Sequence, residues 1–328
     1  MINKIKLEHP NSDQVKKKDL KLEADMKCAP SKKYTNGSCF TLDSLKKIAE
    51  SFNQRNSKKI DINLSKEKLV EELEAKLADQ CSEQTCWLRL DIVKQLDNED
   101  ILENTFRPKG PSKKYEWLST THINDVVEQY QEIHKDFIFL GAVPYDFDDL
   151  SILGISNLKF DDLEKQGKTK IGVVFNLDEH DKEGSHWVAL FTDLSQNQIY
   201  FFDSLGKKPL KRIRKFINKI TKYLYNKKYH QKLHINDVVN KIKNLKTMPE
   251  NKMKDLIKSN KYLKNLLNEF DIRFNHIQHQ FENSECVVYS INFIIRLVCG
   301  ETFDSVINEI TKDEAMNSNR KVYFRNVN

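Results

Sequence analysis

The stretch HWVALFTDLSQNQIYFFDS, residues 186–204, decides how the rest of the chain is read. Two runs rich in apolar, aromatic and β-branched residues flank the polar turn SQNQ, a pattern that predicts a β-hairpin. An antiparallel hairpin folds the start of its first strand against the end of its second. His186 and Asp203, 17 residues apart, therefore become cross-strand neighbours. A carboxylate in that position fixes the tautomer and orientation of an imidazole, as acid–base catalysis at a nucleophile requires.

Working outward, FIFLGAVPYDF (137–147) and KIGVVFNL (170–177) read as strands or buried extended segments. Downstream, a short strand is expected at 271–277, and QHQFENSE then leads into CVVYSINFIIRLVCG. That last run is apolar almost all round and predicts a buried helix over 286–298. Cys286 lies at its first turn, where the helix dipole and a nearby imidazolium favour the thiolate, the form that attacks a carbonyl. Gln280, six residues upstream, is placed to offer its amide N–H to a developing oxyanion, with the Cys286 backbone N–H as the second donor. Singly, a Cys at a helix start is usually a core residue and a His on a strand a satisfied polar group. The order His, Asp, Gln, Cys within compatible local structure is far rarer. His276 and His279 lie close to Gln280 but have no evident acid partner, which favours His186 as the base.

Upstream of Phe137 the texture is helical. Helices are expected at about 41–54 (capped by Thr41 or Asp43), 65–78, 86–96 and after Ser119, with FRPKGPSKKYEW (106–117) as an irregular crossing. Residues 1–25 are charged and weakly periodic and read as a mobile arm. The expected organisation is thus an arm over 1–25, a helical accessory domain over 26–136 and a catalytic domain over 137–328.

The 328 residues carry 54 Lys+Arg and 48 Asp+Glu, with 39% hydrophobic residues, 9 Gly and 7 Pro. This composition excludes wholesale disorder and collagen-like or low-complexity chains. No apolar run approaches membrane-spanning length and no secretory signal is evident, so a reducing, cytosol-like compartment is expected. The six cysteines are accordingly read as free thiols. Cys28, Cys39, Cys81 and Cys86 miss the usual zinc spacings and are expected to be buried thiols, with Cys299 in the core. The net charge of +6 is unevenly divided: residues 207–264 hold 19 Lys+Arg against 3 Asp+Glu, leaving 35 against 45 elsewhere. A basic segment of this strength suits nucleic acid, an anionic capsid surface or an acidic substrate, whereas a solvated helical face is the plainer alternative. Tyr223, Tyr225, Tyr229 and Tyr262 are interleaved with its lysines.

The segments GSHWVALFTD, IYFFDSLG and HQFENSECVVYSINFI resemble the ubiquitin-like-protein protease superfamily, which includes SUMO-specific proteases and the adenovirus endopeptidase. His followed by Trp, an Asp after the next strand, and Gln-x5-Cys are matched by His186-Trp187, Asp203-Ser204, and Gln280 with Cys286. KCAPSKKYTNGSCFTLDSL, CSEQTCW, FRPKGP and DEAMNSNRKVYF further resemble thiol proteases of giant, mimivirus-like DNA viruses. The resemblance implies an α+β fold: a papain-like or adenain-like cysteine protease core, with a mixed sheet packed by helices and an N-terminal helical domain. The basic helical stretch 207–268 becomes an insertion in that core.

The implied activity is a viral cysteine endopeptidase cleaving after small residues, of Gly-Gly-X or Ala-Gly-X type, in structural or core polyproteins during virion maturation. Trp187 is implied to wall a narrow substrate channel. No cofactor or metal is implied, although the adenovirus enzyme makes nucleic acid an activator by analogy. The expected place is the virion or the host cytoplasm. Two alternatives stand: an isopeptidase acting on host ubiquitin or SUMO conjugates, and a weakly active or inactive protease-fold protein binding nucleic acid or virion components. Asn176 matches a position often held by Asn in the family, and Val287 stands where Gly is common after the nucleophile.

Overall fold

The hairpin expected from residues 186–204 forms as β3 (Trp187–Asp193) and β4 (Gln198–Phe202), antiparallel from Asp193↔Gln198 to Ala189↔Phe202. The computed structural model describes residues 27–230, 232, 250–282 and 284–325. β1 (Phe137–Val143), β2 (Lys170–Asn176) and β5 (Asp271–Phe274) complete a five-stranded sheet in the order β1-β2-β3-β4-β5. The outer pairs β1–β2 and β4–β5 are parallel and the inner pairs antiparallel, so the sheet is mixed.

β3 is buried at every residue because helices cover both faces. One face, with Ile171, Val173, Phe175, Val188 and Leu190, packs in one cluster with Ile213, Phe216, Ile220 and Leu224 of the helix Lys211–Tyr229. These positions recur every three or four residues, the spacing that puts them on one helical face. The other face meets the buried helix Cys286–Val298: Phe202 stacks on Phe293 at 4.9 Å between ring centroids. Gly172 permits that approach, since a Cβ there would lie 3.0 Å from Phe137 and 3.1 Å from Ile294. The α+β class and the helix-packed mixed sheet are therefore as the sequence implies.

Backbone contacts separate two compact units, one ending at Ser112 and resuming from Arg320, the other Lys113–Asn319. The division falls at 112/113 rather than 136/137 because the helix Thr120–Glu128 packs on β1, with the Asn124 Oδ1 accepting the Ala142 N–H at 2.8 Å. The first unit is helical. Leu42–Arg55 is capped by Thr41 and Lys66–Leu77 by Ser65, and both bury aliphatic faces around Trp87 and Phe106. The expected helix over 86–96 is instead two short ones, Gln84–Trp87 and Asp91–Lys94. Extended backbone at Leu90 breaks it, and both Trp87 and Val93 reach the same core.

The cysteines of this unit correct the free-thiol expectation. Cys28–Cys39 and Cys81–Cys86 are disulfides with Cα separations of 5.4 and 5.6 Å, inside the range a disulfide bridges. Sequence spacing gives no access to those separations. Cys299 is exposed rather than in the core, because it is the C-cap residue just beyond the buried face of its helix. Among the described residues no cluster of His, Cys, Asp or Glu could hold a metal ion, and no helix is long and apolar enough to cross a membrane.

In the basic segment, the apolar spacing predicts amphipathic helices over about 235–245 and 252–268, of which the first lies outside the described residues. The one expected at 252–268 is two helices, Glu250–Ser259 and Lys261–Glu269, broken where Asn260 turns to cap the second through the Leu263 N–H at 3.0 Å. Tyr225 is buried, Tyr229 packs on Tyr225 and Phe270, and the Tyr223 hydroxyl donates to Glu164 at 2.7 Å. These three aromatics serve the fold instead of presenting free stacking faces.

Candidate active site

The hairpin delivers the first pair. His186 immediately precedes β3 and Asp203 immediately follows β4, and Nε2 of the imidazole meets the Asp203 Oδ1 at 2.7 Å. The His186 carbonyl accepts the Leu177 N–H at 2.9 Å, tying the histidine to the end of β2. Asp203 is 2% exposed, and its carboxylate also accepts the Leu205 N–H at 2.9 Å.

Asn275, which sequence reasoning did not single out, fixes the Asp203 backbone. Its Oδ1 accepts the Asp203 N–H at 2.9 Å and its Nδ2 donates to the Asp203 carbonyl at 2.7 Å. Asn275 follows β5 directly, and the parallel pairing Phe201↔Phe274 brings it beside Asp203. The expected strand 271–277 stops at Phe274 because Asn275 turns into this pair of bonds.

Cys286 opens the helix Cys286–Val298 and is 2% exposed, and its side chain acts on the His186 imidazole. Burial works against the charged imidazolium, but the hydrogen bonds to Asp203 and Cys286, with their charges, prevail and raise the His186 pKa from 6.5 to about 9. The imidazole thus stands between a buried acid and a buried sulfur and holds its proton at neutral pH.

Gln280 is buried in the irregular segment leading to Cys286. Its Oε1 accepts the Ser204 hydroxyl at 2.6 Å, and its backbone N–H donates to the Ser204 carbonyl at 2.9 Å. One amide N–H goes to the Glu282 carbonyl at 2.5 Å, so the amide orientation is set. Ser204, which the sequence names only as the neighbour of Asp203, is therefore a support for Gln280. It lies next to Asp203, but its partner is 76 residues away.

Trp187 opens β3 opposite Asn176, is 7% exposed, and its carbonyl accepts the Ser290 hydroxyl at 3.3 Å from the nucleophile-bearing helix. Asn176 behaves as a strand-end cap, its Oδ1 accepting the Asp178 N–H at 2.9 Å. The loop from Asn176 to His186 passes Gly184, whose φ of +88° and 2.5 Å approach of a notional Cβ to the Asn176 amide leave room for glycine alone. Asp146 secures the same loop: Oδ1 accepts the His180 N–H at 3.0 Å and Oδ2 meets Nδ1 at 2.5 Å. That contact raises the His180 pKa. His276 is exposed, while His279 is buried edge-on against Phe202 at 5.3 Å, and burial lowers its pKa. Val287 is buried.

The chain is similar to several known proteases. A model described as the Ulp1 protease family, C-terminal catalytic domain, matches residues 168–255, the part that holds His186 and Asp203. A protein of Acanthamoeba polyphaga mimivirus named "putative thiol protease" is 33% identical over 310 residues, covering 89% of this chain and 90% of its own length. Among solved structures, a protease of African swine fever virus superposes with a TM-score of 0.54 at 19% identity, over 83% of this chain and 94% of that one. Its selenomethionine form gives 0.53 at 18% identity, over 92% and 96%. At those identities the structures speak for the fold.

Proposed function

This chain belongs to the Ulp1-like family of cysteine proteases, together with its mimivirus relative, and on that premise we propose that Cys286, His186, Asp203 and Gln280 hydrolyse peptide bonds in viral proteins. The observation that carries the assignment is the 2.7 Å contact between His186 and the buried Asp203, with the buried Cys286 side chain acting on the same imidazole.

The reaction is acyl transfer in two steps. The Cys286 sulfur attacks the scissile carbonyl, and the carbon–oxygen π pair moves onto oxygen. The Gln280 amide and the Cys286 backbone N–H stabilise that oxyanion. His186 gives its proton to the leaving amine as the C–N bond breaks, leaving a thioester on Cys286. Water then attacks the thioester and loses a proton to His186; the acid leaves and the starting pair is restored. Asp203 keeps the imidazole oriented and stabilises its charged form in both steps.

The natural bond follows a small residue, of Gly-Gly-X or Ala-Gly-X type, in a structural or core polyprotein cleaved during virion maturation in the virion or host cytoplasm. Family resemblance supports this choice, as does the placement of Trp187 at the start of β3 beside His186. An isopeptidase acting on ubiquitin or SUMO conjugates uses the same four residues, and the Ulp1 description of the matching family favours keeping it as the second reading. The deciding assay sets unsubstituted protein and Cys286→Ala against both peptide types alongside ubiquitin and SUMO reporters. Cysteine-dependent peptide cleavage is expected. Reporter cleavage alone makes the isopeptidase the answer, and equal activity in Cys286→Ala removes the proposed nucleophile.

The basic segment serves, in this reading, as a docking surface for DNA or another polyanion. Between the helices Phe160–Lys165 and Lys211–Tyr229 runs an open groove of about 780 Å³ lined by Lys159, Lys165, Lys215, Lys219 and Lys222, with Asp161 and Asp162. Binding of short duplex DNA is expected to weaken steeply with salt and with Lys215→Gln and Lys222→Gln. Salt-insensitive binding, or none, overturns it.

A further inference from the structure

The described residues 280–282 and 284–285, just ahead of the Cys286 helix, have no regular secondary structure, yet they must hold an amide and a backbone N–H around one point. The Gln280 side chain is tied to Ser204, but Phe281 is 71% exposed and Glu282 is exposed. Further anchorage comes from the short helix Asp313–Ser318. Asp313 is 8% exposed, and its Oδ2 accepts the Phe281 N–H at 2.8 Å and the Glu282 N–H at 3.1 Å. Its Oδ1 lies 3.3 Å from the Tyr289 hydroxyl, which has nearer acceptors in the Thr311 carbonyl at 2.6 Å and the His279 carbonyl at 3.0 Å; Tyr289 stands one turn into the helix that Cys286 opens. Asn317, one turn beyond Asp313 on the same face, donates its Nδ2 to the Oε1 of Glu285 at 3.0 Å. Glu285 is fully buried and immediately precedes Cys286.

We propose that Asp313 and Asn317 are positioning residues that clamp the Gln280–Cys286 segment and so set the separation of the two oxyanion donors. Asp313 fastens the end next to Gln280, and Asn317 fastens the end next to Cys286. A carboxylate suits the first task because one oxygen can accept two consecutive backbone N–H groups. Neither residue touches His186 or Asp203 in the contacts above, so the clamp acts on oxyanion stabilisation and leaves the thiol–imidazole pair alone. The inference rests on the proteolytic reading of the same site.

The test compares unsubstituted protein with Asp313→Asn, Asp313→Ala and Asn317→Ala, using an Ala-Gly-X fluorogenic peptide. Displacing preorganised donors by a fraction of an ångström to 1 Å is expected to lower kcat by about 10- to 100-fold for Asp313→Ala and less for Asp313→Asn, with KM little changed. Affinity for a peptide aldehyde, whose adduct with the thiol places an oxygen in the same hole, is expected to fall in parallel. The rate of Cys286 alkylation by iodoacetamide is expected to stay the same, and a general loss of structure would move it. Amide exchange at Phe281 and Glu282 reads the clamp directly and is expected to accelerate in Asp313→Ala. Unchanged exchange, or faster exchange with kcat and aldehyde affinity intact, overturns the proposal. Absence of Cys286-dependent hydrolysis in the unsubstituted protein strikes instead at the proteolytic reading, and exchange at Phe281 and Glu282 still decides whether the clamp exists.

Discussion

The two halves of the site are built by different physics. His186 and Asp203 sit at the ends of adjacent strands joined by a four-residue turn, and a ladder of backbone hydrogen bonds holds them in register. Gln280 and Cys286 bracket an irregular segment held by buried side chains from Ser204, Asp313 and Asn317. Backbone ladders tolerate most side-chain changes, whereas a polar clamp fails when one member is removed. The hairpin half should therefore respond to substitution through charge and protonation, and the loop half through geometry.

The largest expected effect falls where the halves meet. Cys286→Ala removes the attacking atom and should reduce turnover by at least ~10⁴-fold, because the other groups cannot supply a nucleophile. Single-turnover kinetics with the peptide substrate checks it, and residual turnover within tenfold of the unsubstituted protein would place the chemistry elsewhere.

Next comes the charge of the hairpin half. Asp203→Asn keeps the shape and removes the carboxylate that helps hold the His186 proton, at an expected cost of roughly 10²- to 10⁴-fold in kcat. The pH dependence sharpens the point. With its pKa raised to about 9 in the fold, the imidazolium is present at neutral pH and disappears as pH rises through about 9. The alkaline limb of the rate profile should lie there, and in Asp203→Asn it should move down toward 6.5. Stability follows the same sign: the contribution of this proton is complete below the unfolded value of about 6.5 and is lost as pH rises from there through 9. A limb that does not move in Asp203→Asn would dissociate the carboxylate from the imidazole.

Gln280→Ala probes the loop half and should cost roughly 10- to 10³-fold in kcat, with the alkaline limb left in place. A shifted limb would mean that the two halves are coupled more closely than their separate supports imply.

How far each half could be read from sequence follows from how it is held. The hairpin was legible because two runs of apolar, aromatic and β-branched residues, a polar turn and the 17-residue spacing are all local. The buried helix after Cys286 was legible from its apolar run, and Thr41 and Ser65 announced their helices by capping chemistry. Asn275, Ser204 and Asp313 were not legible in their roles. Their partners are 72, 76 and about 31 residues away, and only the β4–β5 pairing and the docking of Asp313–Ser318 bring them together. The disulfides were missed for a related reason. Compartment logic argued against them, and the 5.4 and 5.6 Å Cα separations depend on loops that have no periodicity to read.

Asn275 gives the smallest expected effect on rate and the sharpest distinction between the halves, because it is a side-chain clamp acting on the hairpin half. Asn275→Ala leaves the buried Asp203 N–H without its partner, at an expected cost of about 1–3 kcal/mol, while the Asp203 carbonyl keeps the Gly206 N–H at 2.8 Å. The carboxylate itself should stay near His186, because the Leu205 N–H still binds it and the ladder through Ala189↔Phe202 is untouched. Denaturant unfolding is therefore expected to show a clear loss of stability, while kcat at a temperature where the variant is folded falls by less than about tenfold. Asn275→Asp separates the two bonds: it keeps an acceptor for the Asp203 N–H, loses the donor to the carbonyl, and sets a second carboxylate close to the first. The like charges should lower kcat further than the alanine does, although the variant keeps one more hydrogen bond. If alanine instead costs as much in kcat as Asp203→Asn, the hairpin half is not self-supporting, and the strand ladder alone does not position its catalytic pair.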